Sequence, residues 1–250
     1  MTSKMPFVTA ICPTFRHPEL LANSLALWLG QDYPLSLRTL LIFDDDPTFD
    51  DQVGHAWEVF TSPRRIPTIS DKYNILLERM YNFTDIVAVW EDDDFYLPGY
   101  ISAHVRALKD AEYSKARTVL SDYTGKLAVE GADGRFHSSM AFRTALIKRV
   151  GGWPETKRAD FDQQLMAKLR QHAKGIAAPW TVDERPEFIY HWNTGAAHCQ
   201  STMDRGPEDE TWYDRAEQSY KKVPFVGKLV PKLSEKTIRI FKELGIECEF

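Results

Sequence analysis

Cysteine is scarce in this chain. Three residues in 250, Cys12, Cys199 and Cys248, lie far apart and form no C-x-x-C pair. That excludes a disulfide framework and a cysteine-rich zinc site, and it leaves reduced thiols in a cytoplasmic setting as the expectation. Long apolar runs are missing as well. Stretches such as residues 25–29 and 86–90 are far too short to cross a bilayer, and the first residues lack the apolar core of a signal peptide, so no integral membrane segment is expected. Positive charge is not in excess. Lys and Arg total 31 against 36 Asp and Glu, a formal net charge of -5, so no global basic field drives non-specific nucleic-acid binding. Glycine is absent from residues 12–19, just after the first strand-like run, where a nucleotidyltransferase would carry its phosphate-cradling loop.

What is present is the composition of one substantial folded domain with a short appendage: 43% hydrophobic and 27% charged residues. The first half alternates strand-like and helix-like segments. Residues 7–12, 37–43, 57–61 and 85–90 read as strands. Residues 18–30 read as a helix opened by Pro18 and stopped by Gly30, and residues 70–81 as a helix capped by Ser70 or Asp71. Such alternation predicts an α/β sandwich with a mostly parallel sheet. Further on, residues 117–121 read as a strand, 126–129 with 135–137 as a hairpin, and 142–150 and 160–172 as helices. Residues 188–192 read as a strand, 193–198 as a loop, and 234–244 as a last helix in a lysine-rich segment running from Lys221 to Lys242.

The chemistry concentrates in carboxylates. Glu91-Asp92-Asp93-Asp94 follows the strand-like run 86–90 directly, at the end of a strand where open α/β sheets bind ligands. Four adjacent carboxylates repel one another unless a cation or solvent relieves them, and hard cations such as Mg²⁺ or Mn²⁺ take carboxylates together with phosphate oxygens. The competing reading is a solvated acidic turn before a helix. The strand-end position favours the metal. Asp44-Asp45-Asp46 ends an earlier strand and would face the same crevice, although Asp-Pro-Thr is also good turn chemistry.

Taken in order, these segments resemble a known family. Pro13-Thr14-Phe15-Arg16 after strand one, Asp44-Asp45 after strand two, Lys72 on the next helix and Asp92-Asp93-Asp94 before Pro98 resemble the GT-A glycosyltransferases, and among them the inverting family 2. Residues 142–153, ending Val150-Gly151-Gly152-Trp153, resemble that family's acceptor-side helix. Ala159-Asp160-Phe161-Asp162 resembles its segment carrying the catalytic base. The likeness spans roughly residues 5–200.

The resemblance implies a GT-A (Rossmann-like) three-layer α/β sandwich with a mostly parallel central sheet and a smaller acceptor-side part. Residues 1–210 would form the glycosyltransferase domain, with a nucleotide-sugar half (1–110) and an acceptor half (111–210), followed by a basic helical extension, 211–250. Pro13, Thr14 and Phe15 would line the base and ribose pocket, Asp45 would meet the nucleobase, Lys72 the base or phosphates, and Asp92 the ribose. Asp93, with His198 in the late loop, would hold Mn²⁺ or Mg²⁺, and Asp160 would be the general base. Phe15-Arg16, Asp46-Pro47-Thr48 and Ala159 stand where the family usually has Tyr-Asn, Asp-Gly-Ser and Glu-Asp.

The expected activity is transfer, with inversion, from a nucleoside-diphosphate sugar (UDP-linked by preference) to an unidentified saccharide, lipid-linked or nucleic-acid hydroxyl. One alternative is a phage-type enzyme glycosylating modified DNA bases through the C-terminal lysines. Another, from a different class, is a non-catalytic metal- or sugar-binding module. The remaining carriers of possible chemistry receive structural readings. Asp162 reads as a solvated or capping carboxylate, because residues two apart on a helix diverge. His17, His55, His104, His137 and His172 read as ordinary hydrogen-bonded histidines, His191 as a weaker ligand candidate than His198, Trp153 as an acceptor-side wall, and Cys12 as an inert buried thiol.

Overall fold

The segment Val8–Thr14 (β1) is buried along its whole length, which is why it reads as a continuous apolar run and not as an apolar–polar alternation. In the computed structural model, which describes residues 4–123, 125–132, 134–192, 213 and 221–247, β1 stands at the centre of a sheet. It is followed by α1 (Pro18–Leu29), β2 (Arg38–Asp44), β3 (Gln52–Gly54), β4 (Trp57–Thr61), α2 (Ile69–Arg79), β5 (Ile86–Val89), β6 (Phe95–Tyr96) and α3 (Tyr100–Ala107). Then come β7 (Tyr113–Lys115), β8 (Thr118–Ser121), β9 (Ala128–Gly131), β10 (Met140–Arg143), α4 (Thr144–Val150), α5 (Phe161–His172), β11 (Ile176–Ala177), β12 (Phe188–Tyr190) and α6 (Glu235–Glu243).

Eight strands form the main sheet in the order β11-β7-β10-β5-β1-β2-β4-β3. Its centre, β5-β1-β2-β4, is parallel. Alternate residues serve opposite faces: Ala10, Cys12, Leu40, Ile42 and Ala88 pack with α1, α3 and α6, while Ile11, Leu41, Phe43, Val87 and Val89 pack with α2, α4 and α5. The result is a three-layer sandwich. A smaller four-stranded sheet, β6-β12-β8-β9, continues the first of those two cores.

Several local expectations meet a different outcome. The cap of α2 is Thr68, whose hydroxyl accepts the Asp71 amide at 3.0 Å, and not Ser70 or Asp71. Phe142 belongs to a strand: β10 inserts antiparallel between β5 and β7, and sheet pairing overrides the helical periodicity of that run. The expected 126–129/135–137 hairpin is replaced by β8 pairing with β9. Phe136 adopts a left-handed φ of 54° that no strand tolerates, and His137–Ser139 forms a 3₁₀ turn. Trp153 is a core residue, 2% exposed and stacked on Tyr73.

The last described segment is a strap laid across the first core. Gly227 bridges Phe49, Lys232 N–H donates to Ala22 O at 3.0 Å, and Leu229, Ile240 and Phe241 are buried in the first core. Among the described residues no helix is long and apolar enough to cross a membrane.

Candidate active site

The sheet creates the site through its strand order. Strand β1 leads through α1 to β2 on one side, whereas β4 returns through α2, on the opposite face, to β5 on the other side. The carboxyl ends of β1 and β5 therefore flank a switch point, the place where α/β sheets open a crevice. Residues at and just past these strand ends meet across it. Thr14 Oγ1 donates to Asp92 Oδ2 at 2.5 Å, and His17 Nδ1 lies 3.3 Å from the same oxygen. Pro13, also in β1, pairs in register with Phe43 of β2. Cys12, fully buried beneath, has its thiol pushed well above the usual range by burial and then by Asp92, so it is inert.

On the β2 side, Asp45 is sequestered among cations. Arg65 Nη1 reaches its two oxygens at 2.7 and 2.6 Å, Lys72 Nζ lies at 2.5 Å, and the Ile66 amide donates at 2.9 Å. Lys72, 2% exposed, also donates to Thr14 O at 2.9 Å, tying this pocket to β1. Burial lowers the Lys72 pKa, and Asp45 opposes that shift. The Arg65 guanidinium is sandwiched between Phe15 and Tyr213, 3.7 and 4.3 Å from the ring centroids. Asp44 accepts the Thr48 and Asp46 amides. Burial nevertheless pushes its carboxyl up to about 6.

On the β5 side the acidic run splits. Asp92 turns toward Thr14, while Glu91, Asp93 and Asp94 offer oxygens that all lie within 4.8 Å of one another. Asp94 is fully buried, with Ser138 Oγ donating at 2.6 Å and the His191 amide at 3.0 Å. Burial, then the charges of Asp93 and Glu91, hold its carboxyl well above the usual carboxylate range. Glu91 accepts from Tyr73 OH at 3.3 Å and lies 3.1 Å from His137 Nδ1. An all-oxygen donor set with this mutual repulsion fits a hard divalent cation such as Mg²⁺ or Mn²⁺.

The Gly151-Gly152-Trp153 motif packs against α2. Gly151, left-handed at φ 81°, ends α4. Gly152 has no room for a side chain, since a Cβ would meet Asn74 Oδ1 at 2.6 Å. That Asn74 amide holds both the N–H and the C=O of Trp153. Asp160, at the start of α5, is gripped by Arg158 at 3.0 and 2.8 Å and by Gln164 at 2.8 Å. Burial opposes its ionisation, but these donors outweigh it and lower its pKa. Its neighbour Phe161 packs edge-on against His137, with centroids 5.7 Å apart.

The structure thus brings Pro13, Thr14, Phe15, Asp45, Lys72 and Asp92 to one crevice, with Asp93 beside them and Asp160 linked to it through Phe161 and His137. His198 lies outside the described residues. Arg65 escaped the sequence reading, and His137 and Asp162 received only structural readings there. Burial disfavours a charged His137, yet Glu91 more than offsets this and raises its pKa. Asp162 is half-buried; burial raises its carboxyl, with His137 opposing. Only the wide chain separation of Glu91, His137 and Asp162 hid their meeting.

No family model matches the sequence, and no curated protein matches it. Solved structures do. TarS of S. aureus, residues 1–349, superposes with a TM-score of 0.62 at 14% identity, covering 86% of this chain and 70% of that one. The same protein in complex with UDP-GlcNAc gives 0.61 at 17%, covering 78% and 61%. The mannosyltransferase PcManGT of Pyrobaculum calidifontis, in complex with GDP-Man and Mn²⁺, gives 0.57 at 16%, covering 87% and 69%. The chain has the GT-A fold. It spans 61–70% of the length of these three structures.

Proposed function

We propose that the chain is a glycosyltransferase that moves a sugar from a nucleoside-diphosphate donor to a hydroxyl acceptor with inversion, using Mn²⁺ or Mg²⁺. One observation carries the reading: at the switch point a cation-paired Asp45 pocket and an oxygen-only carboxylate trio adjoin, joined by the Lys72–Thr14–Asp92 chain. The first suits a base and ribose, the second a metal-bound diphosphate. UDP-GlcNAc in TarS and GDP-Man with Mn²⁺ in PcManGT support the same donor chemistry.

In this reading Pro13 and Phe15 line the base pocket with Asp45 and Lys72, Asp92 holds the ribose hydroxyls, and Glu91, Asp93 and Asp94 hold the cation. When bound, that cation acts as the Lewis acid that neutralises the departing diphosphate. The sugar centre is oxocarbenium-like during transfer, and the attacking hydroxyl must lose its proton to a carboxylate on the opposite side. Asp160 takes that role, worth about 10²–10⁴-fold. A second reading keeps the reaction and assigns the proton to Asp162, favoured because His137 and Glu91 share its environment while Asp160 is tied to Arg158.

A donor screen with UDP-, GDP- and TDP-sugars and Mn²⁺ tests the proposal. Asp93→Ala loses metal-dependent donor binding, and Asp160→Ala keeps binding but loses transfer. Full transfer in Asp160→Ala with loss in Asp162→Ala selects the second reading. A product of retained anomeric configuration rejects direct displacement altogether. For the acceptor, salt-sensitive DNA binding that vanishes when the chain is cut before Lys221 supports the nucleic-acid alternative over a saccharide or lipid-linked hydroxyl. Metal uptake with no nucleotide dependence would support the binding-module alternative.

A further inference from the structure

The strap ends at the acidic trio, by a route of short contacts. Its anchor is Asn23 of α1, whose Oδ1 accepts both the Ser234 amide at 2.8 Å and the Thr237 hydroxyl at 2.7 Å. Ser234 caps α6 by accepting the Thr237 amide at 3.1 Å. With its first turn held at both ends, α6 delivers Lys236 to Asp122, just beyond β8. Lys236 Nζ pairs closely with Asp122 Oδ2 and lies 2.9 Å from His191 Nδ1.

Among the described residues the Asp122 carboxylate has three partners. His191 Nδ1 is 2.7 Å from its Oδ2, and the Trp192 amide donates to its Oδ1 at 2.7 Å. Burial alone would raise this carboxyl, but His191, Lys236 and the Trp192 amide bring it down to about 2. It is a fixed anion that pins residues 191 and 192. The His191 ring is further clamped by stacking on Phe95 at 4.7 Å. The pinned backbone then acts on the trio: the His191 amide is the donor to Asp94 Oδ1. Placement of Asp94 is thereby set from α6 through Asp122.

We infer that Lys236 and Asp122 are positioning residues for the carboxylate trio, so that the C-terminal strap is a working part of the cation site. The inference rests on the reading of that trio as a cation site. Partners lying behind direct ligands typically tune metal affinity by about 10–100-fold.

The test is a Mn²⁺ titration of the full-length, nucleotide-free protein, followed by the electron paramagnetic resonance signal of free Mn²⁺. Thermal unfolding of the metal-free proteins runs in parallel. Lys236→Met should weaken Mn²⁺ binding about 10-fold or more, and Lys236→Arg should restore most of it. Asn23→Ala, which loosens α6 without touching Asp122, should weaken binding in the same direction and covers the case of an unfolded Lys236→Met. Wild-type affinity in folded Lys236→Met, or in folded Asn23→Ala should Lys236→Met not fold, overturns the inference and leaves the cation site standing. Lower thermal stability with unchanged affinity does the same, since a merely structural role would look that way. A wild-type protein that takes up no Mn²⁺ overturns the cation reading and the inference with it.

Discussion

Asp44-Asp45-Asp46 and Asp92-Asp93-Asp94 look like twins on paper, and the fold treats them oppositely. The first cluster is answered from within by Arg65 and Lys72 on Asp45 and by Arg16 on Asp46. In the second, among the described residues, Asp94 meets neutral donors in Ser138 and the His191 amide, and Glu91 meets Tyr73 and His137. One cluster holds Arg and Lys partners on its carboxylates; the other packs three carboxylates within 4.8 Å of one another. A buried carboxylate that already has its cation frames a pocket, whereas carboxylates gathered as closely as Glu91, Asp93 and Asp94 suit the cation proposed above.

The contrast can be broken most directly by neutralising one carboxylate of each cluster. Asp45→Asn leaves Lys72 buried without its counter-charge and should cost about 3–5 kcal/mol in urea unfolding. Asp94→Asn should cost nothing in the metal-free protein or stabilise it, because the amide can still accept from His191 N–H and donate to the Ser138 hydroxyl. Equal losses in the two variants would erase the distinction. Next in size, Mn²⁺ at a hundred times its dissociation constant should stabilise the wild type by about 2.7 kcal/mol. Asp45→Asn should keep that increment and Asp93→Ala should lose it.

The link between the clusters is a smaller target. Thr14→Val removes a hydrogen bond to a charged acceptor, worth about 1.5–3 kcal/mol, and should free Asp92 without altering Mn²⁺ uptake. A titration sharpens the picture inside the first cluster. Asp44, raised to about 6 by burial, should show a carbonyl ¹³C titration midpoint near that pH. Its folded-state pKa lies above the ordinary value near 4. Its contribution to stability is therefore complete below that lower pH and is lost as pH rises through about 6.

Much of this was legible in the residues. Strands β1, β2 and β5 announce themselves because both their faces are covered, and Pro18, Gly30 and Ser234 mark helix ends at their proper places. The two acidic runs were visible as strand-end features. Only the family resemblance separated Asp92 from Asp93; residue type alone does not, since their directions depend on a turn. Arg65 sits in a loop with no motif around it, and its role follows only from where α2 begins. Strand β10 reads as helix because its pairing partners, β5 and β7, are distant in the chain. His137 and Asp162 join Glu91 through tertiary packing alone.

The strap has a consequence for biosynthesis. Residues 227–237 touch Phe49, Ala22, Asn23 and Asp122, all translated far earlier. The ribosome releases a nascent chain from its N-terminal side first, so the central sheet can assemble while the stretch that fastens Asp122 is still being made. Until Lys236 emerges from the exit tunnel, Asp122 lacks its lysine partner, so the proposed cation site would be completed only after synthesis has passed that lysine.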